Sequence, residues 1–319
     1  MTITYFDRLV FSIVSQIPEG KVTTYGEIAR ALGDVRAARA VGESLRKNPD
    51  PERIPCHRVV MSDGSLGGYA LGGSERKREL LRREGVTFRG GKVDLSRHLI
   101  AHDQFRAEPV FERMRRAQEK LREKIVVEHP GDVEVAAGVD VSYWGETGVG
   151  AAVIVDRDGN VLEERTWTGR VSFPYVPTYL AFREMPFVWN AVRKMDFDVL
   201  LVDGHGWIHP RMAGEAAHFG VVLDVPSIGV AKSWLVGEVE GGRVFLGGRQ
   251  VGWKVGEAYV SPGNRMDVDP ALRIARLFWK GGKQPTPLTL AHRLAVGRMR
   301  EEREGAGETA FRKTSREGG

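Results

Sequence analysis

The 319-residue sequence has one cysteine, Cys56. An intramolecular disulfide needs two, so a disulfide framework is excluded and a reducing compartment is expected. Long apolar runs are also missing. None approaches the roughly 20 residues that span a bilayer. The opening Met1-Thr2-Ile3-Thr4-Tyr5-Phe6-Asp7-Arg8 lacks the charged-then-apolar pattern of a secretory signal. These shortages give the expectation of a soluble cytoplasmic protein without a membrane partner. Internal repeats are absent, and so is a large excess of one charge. The 47 basic and 42 acidic residues leave a formal +5, a mild lean toward a polyanionic partner. What is present is ample apolar content, 42%, and a length that suggests two domains.

Apolar residues recur at helical spacing over 5–17 (Tyr5, Phe6, Leu9, Val10, Ile13, Val14, Ile17). Thr24 reads as the N-cap of a helix over 25–32 with Gly33 as its stop, and Asp34 as the cap of a second over 35–47. Two short helices joined by a Gly-Asp turn read as helix-turn-helix. The second carries Arg36, Arg39, Arg46 and Lys47, which suits a groove-reading helix or simply a solvated basic face. A glycine-rich stretch follows, Asp63-Gly64-Ser65-Leu66-Gly67-Gly68 with Gly72-Gly73. It has no Gly-Lys-Ser/Thr and so is not a phosphate loop. A basic helix over 74–83 comes next.

A boundary is expected at 96–104, then a helix from Pro109 that is broken at His129-Pro130-Gly131-Asp132. Strands follow at 134–142, 148–156 and 160–169, the last two joined by a hairpin turn at Asp156-Arg157-Asp158-Gly159-Asn160. A helix over 177–194 and a buried strand at 199–202 continue the chain. A helix over 211–219, strands at 221–223, 226–229, 243–247 and 250–254, and a helix over 270–278 complete it. This order indicates an α/β domain with a mixed sheet. The Glu- and Arg-rich tail, 301–319, reads as disordered.

A lone cysteine is more often a small buried hydrophobe than a reagent. Cys56 is followed directly by His57, however, and a neighbouring base raises the thiolate fraction that makes a cysteine nucleophilic. The segment Ile54-Pro55-Cys56-His57-Arg58-Val59-Val60, with the helix pair before it, resembles O6-alkylguanine-DNA alkyltransferases over residues 3 to about 93. The resemblance implies a mainly α, winged helix-turn-helix domain that works without a cofactor. The Cys56 thiolate would take an alkyl group from a guanine swung out of the stack, in one turnover. His57 would deprotonate Cys56 through water, and Tyr25 would protonate the leaving guanine. Arg39 would fill the gap left by the base, Asn48 would order the Cys turn, and Tyr69 with Gly67-Gly68 would line the pocket. Tyr25 as a core aromatic and Asn48 as a turn residue stay open. The relatives' relay glutamate aligns with Arg78, beside Glu79, but one inserted residue near Leu71 leaves that carboxylate unassigned. Relatives that only bind damage replace the cysteine, so Cys56 favours transfer.

In the second half, Asp140 and Asp203 stand in or at the end of apolar strands, and Glu184 on a helix. A carboxylate in such a place is costly unless it is paired or binds a cation. Three converging would suit Mg²⁺, with Mn²⁺ as a substitute, although any one of them could be a cap or an ion-pair partner. Phe173-Pro174-Tyr175-Val176-Pro177, Phe182-Arg183-Glu184, Asp203-Gly204-His205-Gly206, His209-Pro210 and Ile228-Gly229-Val230-Ala231-Lys232-Ser233 resemble endonuclease V. So do Ser261-Pro262-Gly263-Asn264 and Pro285-Thr286-Pro287-Leu288-Thr289, and the resemblance covers roughly 105–298. It implies a ribonuclease H-like fold and cutting at the second phosphodiester 3′ to deoxyinosine, leaving 3′-hydroxyl and 5′-phosphate. Asp140, Asp203 and Glu184 would hold the metal, His209 would assist at the scissile phosphate, Lys232 would stabilise phosphate charge and Tyr175 would wedge into the duplex. His205 reads as a turn histidine. Asn264 stands where many relatives have histidine, which puts a metal or phosphate role there in question.

The expectation is therefore an alkyltransferase-like domain at 1–95, a linker at 96–104, an endonuclease V domain at 105–300 and a tail. The partner is double-stranded DNA carrying alkylated guanine or deoxyinosine, with single-stranded DNA and RNA left open, and a monomer is expected. The competing reading is a lesion-binding helix-turn-helix without transfer activity, fused to a ribonuclease H-like nuclease for other structures or inosine-containing RNA.

Overall fold

The structure is a computed structural model that describes residues 2–314. The chain divides into two compact units: Met1–Arg116 with Ser172–Pro177, and Ala117–Val171 with Thr178–Gly319.

In the first unit, α1 (Tyr5–Val14) starts at a capping box: the Thr4 hydroxyl accepts from the Asp7 amide at 3.1 Å and Asp7 accepts from the Thr4 amide at 2.9 Å. Phe6, Val10, Ile13 and Val14 form its buried stripe, and the helix ends three residues before the expected Ile17. Strand β1 (Thr23–Thr24) leads into α2 (Tyr25–Ala31), where the Thr24 hydroxyl accepts from the Glu27 amide at 3.1 Å. The helix expected at 35–47 divides into a 3₁₀ turn, Val35–Ala37, and α3 (Ala38–Leu45). Asp34 ties down the Arg36 amide and guanidinium at once, which favours the tighter turn. Strand β2 (Val59–Val60) pairs in parallel with β1, so that the start of α2 is registered against the segment just after Cys56. Helix α4 (Gly73–Arg83), the hairpin β3 (Phe88–Arg89) and β4 (Lys92–Val93), and the short α5 (Leu95–His98) complete the unit. Val22, Val60, Leu66, Leu81, Val86 and Val93 form one core cluster. Phe6, Phe111 and Phe173 meet edge to face in another, with centroids 5.9–6.0 Å apart.

The division between the units falls inside α6 (Val110–Arg122). The second unit is built on a nine-stranded mixed sheet. The strands β5 (Val135–Trp144), β6 (Thr147–Asp156) and β7 (Val161–Arg170) form an antiparallel meander. They are followed by α7 (Leu180–Val192), β8 (Val199–Val202), α8 (Glu215–Leu223) and β9 (Ser227–Ala231), and β8 lies parallel to both β5 and β9. The small strands β10 (Glu238–Glu240), β11 (Arg243–Leu246), β12 (Arg249–Val255) and β13 (Ala258–Pro262) extend the sheet antiparallel. Helices α9 (Val268–Leu277) and α10 (Thr286–Thr314) close the fold. Two glycines let helices approach the meander from both faces. A Cβ on Gly138 would lie 2.3 Å from the Pro287 backbone, and one on Gly150 2.7 Å from the Phe187 carbonyl.

Three expectations change. Val221-Val222-Leu223 is the last turn of α8, not a strand; the β-branched pair yields to the helix begun at Glu215, which ends with Asp224 in the left-handed conformation. Strands β1, β2, β3 and β4 of the first unit and β10 and β13 of the second were not foreseen. The expected frayed tail instead continues α10 to Thr314, with 315–319 outside the described residues. Among the described residues no helix is long and apolar enough to cross a membrane.

Candidate functional sites

Cys56 opens a 3₁₀ turn, Cys56–Arg58, and its own amide donates to the Ile54 carbonyl at 2.7 Å. Asn48 braces the approach: its amide donates to the same carbonyl at 2.8 Å while its side-chain oxygen accepts from the Asp50 amide. His57 is buried, with Nε2 2.6 Å from the Glu84 carboxylate. Glu84 also accepts from Arg58 Nε and Nη2, at 2.9 Å each, and Arg58 Nη1 donates to the Ile17 carbonyl. The carboxylate that meets His57 is Glu84, the C-cap of α4. Arg78 instead lies over the Phe88 ring, and Glu79 pairs with Arg76.

Charge in this cluster is balanced. Burial pulls the His57 pKa below the ordinary imidazole value, opposed by Glu84, so the ring is neutral at pH 7 and able to take a proton. Burial also tends to raise Glu84, but hydrogen bonds from Arg58 and His57 outweigh it and hold the carboxyl below its usual range. Tyr25 is pushed upward by burial first and then by Cys56, which keeps its phenol protonated. Tyr69 shifts the same way for the same causes and meets the His57 ring edge to face at 6.4 Å. Arg39 extends from α3, 88% exposed, with a loose ion pair to Glu43.

Lys77 escaped the sequence reading. Its fully buried ammonium donates to the Val59 carbonyl at 2.5 Å and the Leu66 carbonyl at 2.6 Å, tying the strand after Cys56 to the glycine-rich loop. Desolvation brings its pKa down to about 8, and Cys56 opposes the shift.

In the second unit Asp140 lies on β5, Asp203 just past β8 and Glu184 on α7. Asp203 Oδ2 receives Lys232 Nζ at 2.5 Å, Asp140 Oδ2 meets His292 Nδ1 at 2.8 Å, and Glu184 accepts from the Tyr143 hydroxyl at 3.3 Å. Tyr143 in turn carries the Arg183 guanidinium over its ring at 4.2 Å. Glu184 is driven well above its usual pKa by burial, then by the charges of Glu215 and Asp140. Glu215, which begins α8, is raised by burial and by Asp203, and its carboxylate accepts from the His205 amide at 3.1 Å.

Among the described residues no three His, Cys, Asp or Glu side chains are drawn together closely enough to hold a metal ion. The donor set nevertheless fits a hard divalent cation. The oxygens are carboxylates, Glu184 is desolvated beside like charges, and a bound cation would relieve that repulsion. Glu215 and His292 were missed by sequence. Glu215 had no motif to announce it, and His292 lies 152 residues from Asp140.

His209 is buried and internally engaged. Its Nδ1 accepts from the Arg211 and Ala213 amides, at 3.2 and 3.4 Å, which fixes the proton on Nε2, and Nε2 donates to the Thr178 carbonyl at 3.1 Å. Both nitrogens thus hydrogen-bond to backbone. Asn264 is a buried brace: its side chain accepts from the Val126 amide and donates to the Gly220 carbonyl at 3.0 Å each. His205 is buried with Nδ1 unpaired, and burial lowers its pKa to about 4. Tyr175 is 56% exposed.

Residues 118–293 match the family described as Endonuclease V, and residues 5–86 match the 6-O-methylguanine DNA methyltransferase DNA-binding domain. A bifunctional methyltransferase/endonuclease of Picrophilus torridus is 39% identical over 292 residues, 91% of this chain and 96% of that protein. The crystal structure of Endonuclease V from Streptomyces avermitilis is similar at 33% identity and a TM-score of 0.54, covering 60% of this chain and 93% of that one. Ciona intestinalis Endonuclease V, solved with a 24mer DNA containing an inosine followed by a ribo-adenosine, is similar at 25% identity and a TM-score of 0.53, covering 60% of this chain and 98% of that one.

Proposed function

This chain belongs to the bifunctional methyltransferase/endonuclease family, and on that footing we propose a DNA-repair protein with two independent active sites. The first accepts an alkyl group from O6 of guanine on Cys56. The second nicks DNA at the second phosphodiester 3′ to deoxyinosine, leaving 3′-hydroxyl and 5′-phosphate. The single observation that carries the reading is the pairing, on one chain, of a cysteine beside the His57–Glu84 hydrogen bond with a carboxylate set that holds desolvated Glu184 and the Asp203–Lys232 pair.

At the first site neutral His57 takes the Cys56 proton through water, and Glu84 stabilises the imidazolium that forms. The thiolate attacks the alkyl carbon, an S–C bond forms and the C–O6 bond breaks. The electron pair goes to the purine, which Tyr25 protonates. The alkylated sulfur is not restored, so each chain turns over once. Arg39 fills the vacated stack, and Tyr69 with the Gly67-Gly68 backbone lines the base pocket. The α2–α3 pair with the β3–β4 hairpin supports a winged helix-turn-helix reading.

At the second site the order β7-β6-β5-β8-β9, three antiparallel strands followed by two parallel, supports a ribonuclease H-like reading. Endonuclease V proteins use a divalent metal. Here Asp140, Asp203 and Glu184 would hold Mg²⁺, or Mn²⁺ in its place, which would supply an activated water and stabilise the leaving oxygen. Lys232 moves from Asp203 to the phosphate, and Tyr175 stacks into the space left by the inosine. Inosine in RNA is a second candidate substrate, favoured by the mixed inosine and ribo-adenosine ligand of the Ciona protein.

The test is incision of an end-labelled duplex carrying one deoxyinosine, beside an unmodified duplex and an EDTA control. One metal-dependent cut a nucleotide beyond the inosine is expected. Equal cutting of the control sinks the lesion-specific reading. A parallel incubation with O6-methylguanine duplex should add one methyl group to the peptide containing Cys56, and an unchanged peptide mass sinks the transfer reading.

A further inference from the structure

We propose that Thr178 is a latch at the root of the Tyr175 loop, and that Arg211, Gln118 and His209 are positioning residues that close it. The inference rests on the wedge reading of Tyr175 and extends it to residues that touch no substrate. Thr178 follows Pro177 directly and has φ +70°, a left-handed conformation that a β-branched residue adopts only when its surroundings enforce it. The enforcement is visible. The Thr178 carbonyl accepts from Gln118 Nε2 at 2.9 Å, His209 Nε2 at 3.1 Å and Arg211 Nη2 at 2.9 Å. The same Nη2 reaches the Thr178 hydroxyl at 2.8 Å.

The supporting groups are themselves fixed. Arg211 Nε donates to Gln118 Oε1 at 2.7 Å, and its guanidinium lies over the Tyr179 ring at 4.8 Å. Gln118 is buried and also donates to the Ala213 carbonyl, while His209 is held by the Arg211 and Ala213 amides. Three side chains with fixed donors therefore converge on one strained peptide. That peptide is where the chain leaves Phe173-Pro174-Tyr175-Val176-Pro177 for α7. Proline at 177 stiffens the joint on its other side. An exposed wedge ring separates lesion from intact duplex only if its direction is set before binding. The latch fixes the conformation of the peptide through which the Tyr175 loop joins α7, so its loss should loosen discrimination and leave the chemical step in place.

The experiment compares wild type, Arg211→Ala, Thr178→Val, Thr178→Asn, Tyr175→Ala and the Tyr175→Ala/Arg211→Ala double variant in the full chain. Each is assayed on deoxyinosine and unmodified duplexes. Arg211→Ala should lower the inosine-to-control ratio about tenfold, the scale of one lost aromatic stack. The loss should fall on KM, with kcat at saturating duplex within about threefold of wild type. Thr178→Val, which keeps shape and removes the hydroxyl acceptor, gives a milder loss and stands in if Arg211→Ala does not fold. Thr178→Asn, which tolerates the left-handed conformation, should retain discrimination. The double variant should discriminate no worse than Tyr175→Ala alone. Additive losses, or a fall in kcat with the ratio intact, overturn the proposal. Hydrogen exchange over 172–177 reads the latch without reference to the wedge. Faster exchange in Arg211→Ala is expected, and unchanged exchange overturns the latch. If exchange quickens while Tyr175→Ala still discriminates, the wedge reading fails and the discrimination role falls with it.

Discussion

The two sites handle buried charge in opposite ways. Around Cys56 the charged side chains have complements in place: Glu84 sits between His57 and Arg58, and Lys77 donates to two carbonyls. Around Asp140 and Asp203 the carboxylates lean on Lys232 and His292, while half-buried Glu184 is pushed upward by desolvation and then by Glu215 and Asp140, and buried Glu215 by desolvation and then by Asp203. A reagent that reacts once through sulfur needs a finished electrostatic frame. A hydrolytic site that works through a metal can leave its frame incomplete, because the cation supplies the missing charge. On the proposed function, the contrast teaches that a balanced charge cluster and an unbalanced one can both mark chemistry, and that the unbalanced one is where a cation would be stabilising.

The largest effects should separate the two halves outright. Cys56→Ala is expected to abolish transfer and leave inosine incision unchanged. Asp140→Ala or Asp203→Ala should lower incision by about a thousandfold or more, the scale of losing a preorganised electrostatic group at a reacting phosphate, and leave transfer unchanged. Gel incision and the mass of the Cys56 peptide, measured on the same preparations, check both. Loss of both activities from either variant breaks the comparison.

Glu84→Gln tests whether the first frame is finished. Its transfer rate should fall about a hundredfold, within the range of general acid–base contributions. The pH dependence has a definite sign. In the proposed mechanism His57 is the neutral base, and its pKa lies below the ordinary 6.5, so the rate should hold from pH 8 to about 6.5 and fall only in more acidic buffer. Glu84 raises that pKa, so Glu84→Gln should move the acid limb to still lower pH. Stability follows the same residues. Glu84 is lowered in the fold, so its stabilisation is present above the usual glutamate value of about 4.3 and is lost as pH falls through the lower folded value. A flatter acid melting profile in Glu84→Gln supports this. An unchanged profile places the frame's stability elsewhere.

This carboxylate also marks the limit of what the sequence could reveal. Asn48, Cys56 and His57 lie in one short stretch and Tyr25 in the helix pair before it, so the resemblance could suggest roles for them. Glu84 is 27 residues from His57 and reaches it only because α4 ends beside the Cys turn, a three-dimensional fact with no local signal. The helix-turn-helix and the β5–β7 meander were readable because caps, hairpin turns and apolar periods are local. Strand 221–223 was misread because Val221-Val222 has high strand propensity, and tertiary context overrides it. His292 was hidden because no helix was read after 270–278 and no motif included it, and Lys77 because a buried ammonium looks like one more charge in a basic helix.

Mg²⁺ should sharpen the difference without any catalysis. At a hundred times its dissociation constant a ligand adds about 2.7 kcal/mol to the folded state, which for a unit of this size raises the thermal midpoint by roughly 5–10 °C. The rise is expected in wild type, lost in Asp203→Ala, and absent from transitions that report the Cys56 unit. Without metal, Glu184→Gln should be the more stable chain at neutral pH. A carboxyl whose folded pKa is raised destabilises the fold as pH climbs above its unfolded value, and the amide removes that penalty. A melting curve in EDTA decides it. Equal midpoints would show that Glu184 is charged and compensated, and the second frame would then be as finished as the first.

The smallest effect belongs to Arg39. Its side chain is 88% exposed and its ion pair to Glu43 is a loose 3.4 Å contact on one helix face, a kind of pair worth only about 0.3–0.5 kcal/mol. Arg39→Ala should therefore leave the melting curve of the first unit where it was. Its expected role is in holding DNA open after the base has moved, so affinity for O6-methylguanine duplex should drop by roughly five- to tenfold, the low end of what one inserted or stacked side chain contributes. Transfer to Cys56 at saturating DNA should stay close to wild type. The ratio of the two separates a residue that shapes the substrate from one that belongs to the charge frame, because a frame residue would slow saturated transfer as well. If Arg39→Ala slows transfer at saturation as strongly as Glu84→Gln does, the electrostatic frame around Cys56 extends onto α3 and is completed only when DNA is bound.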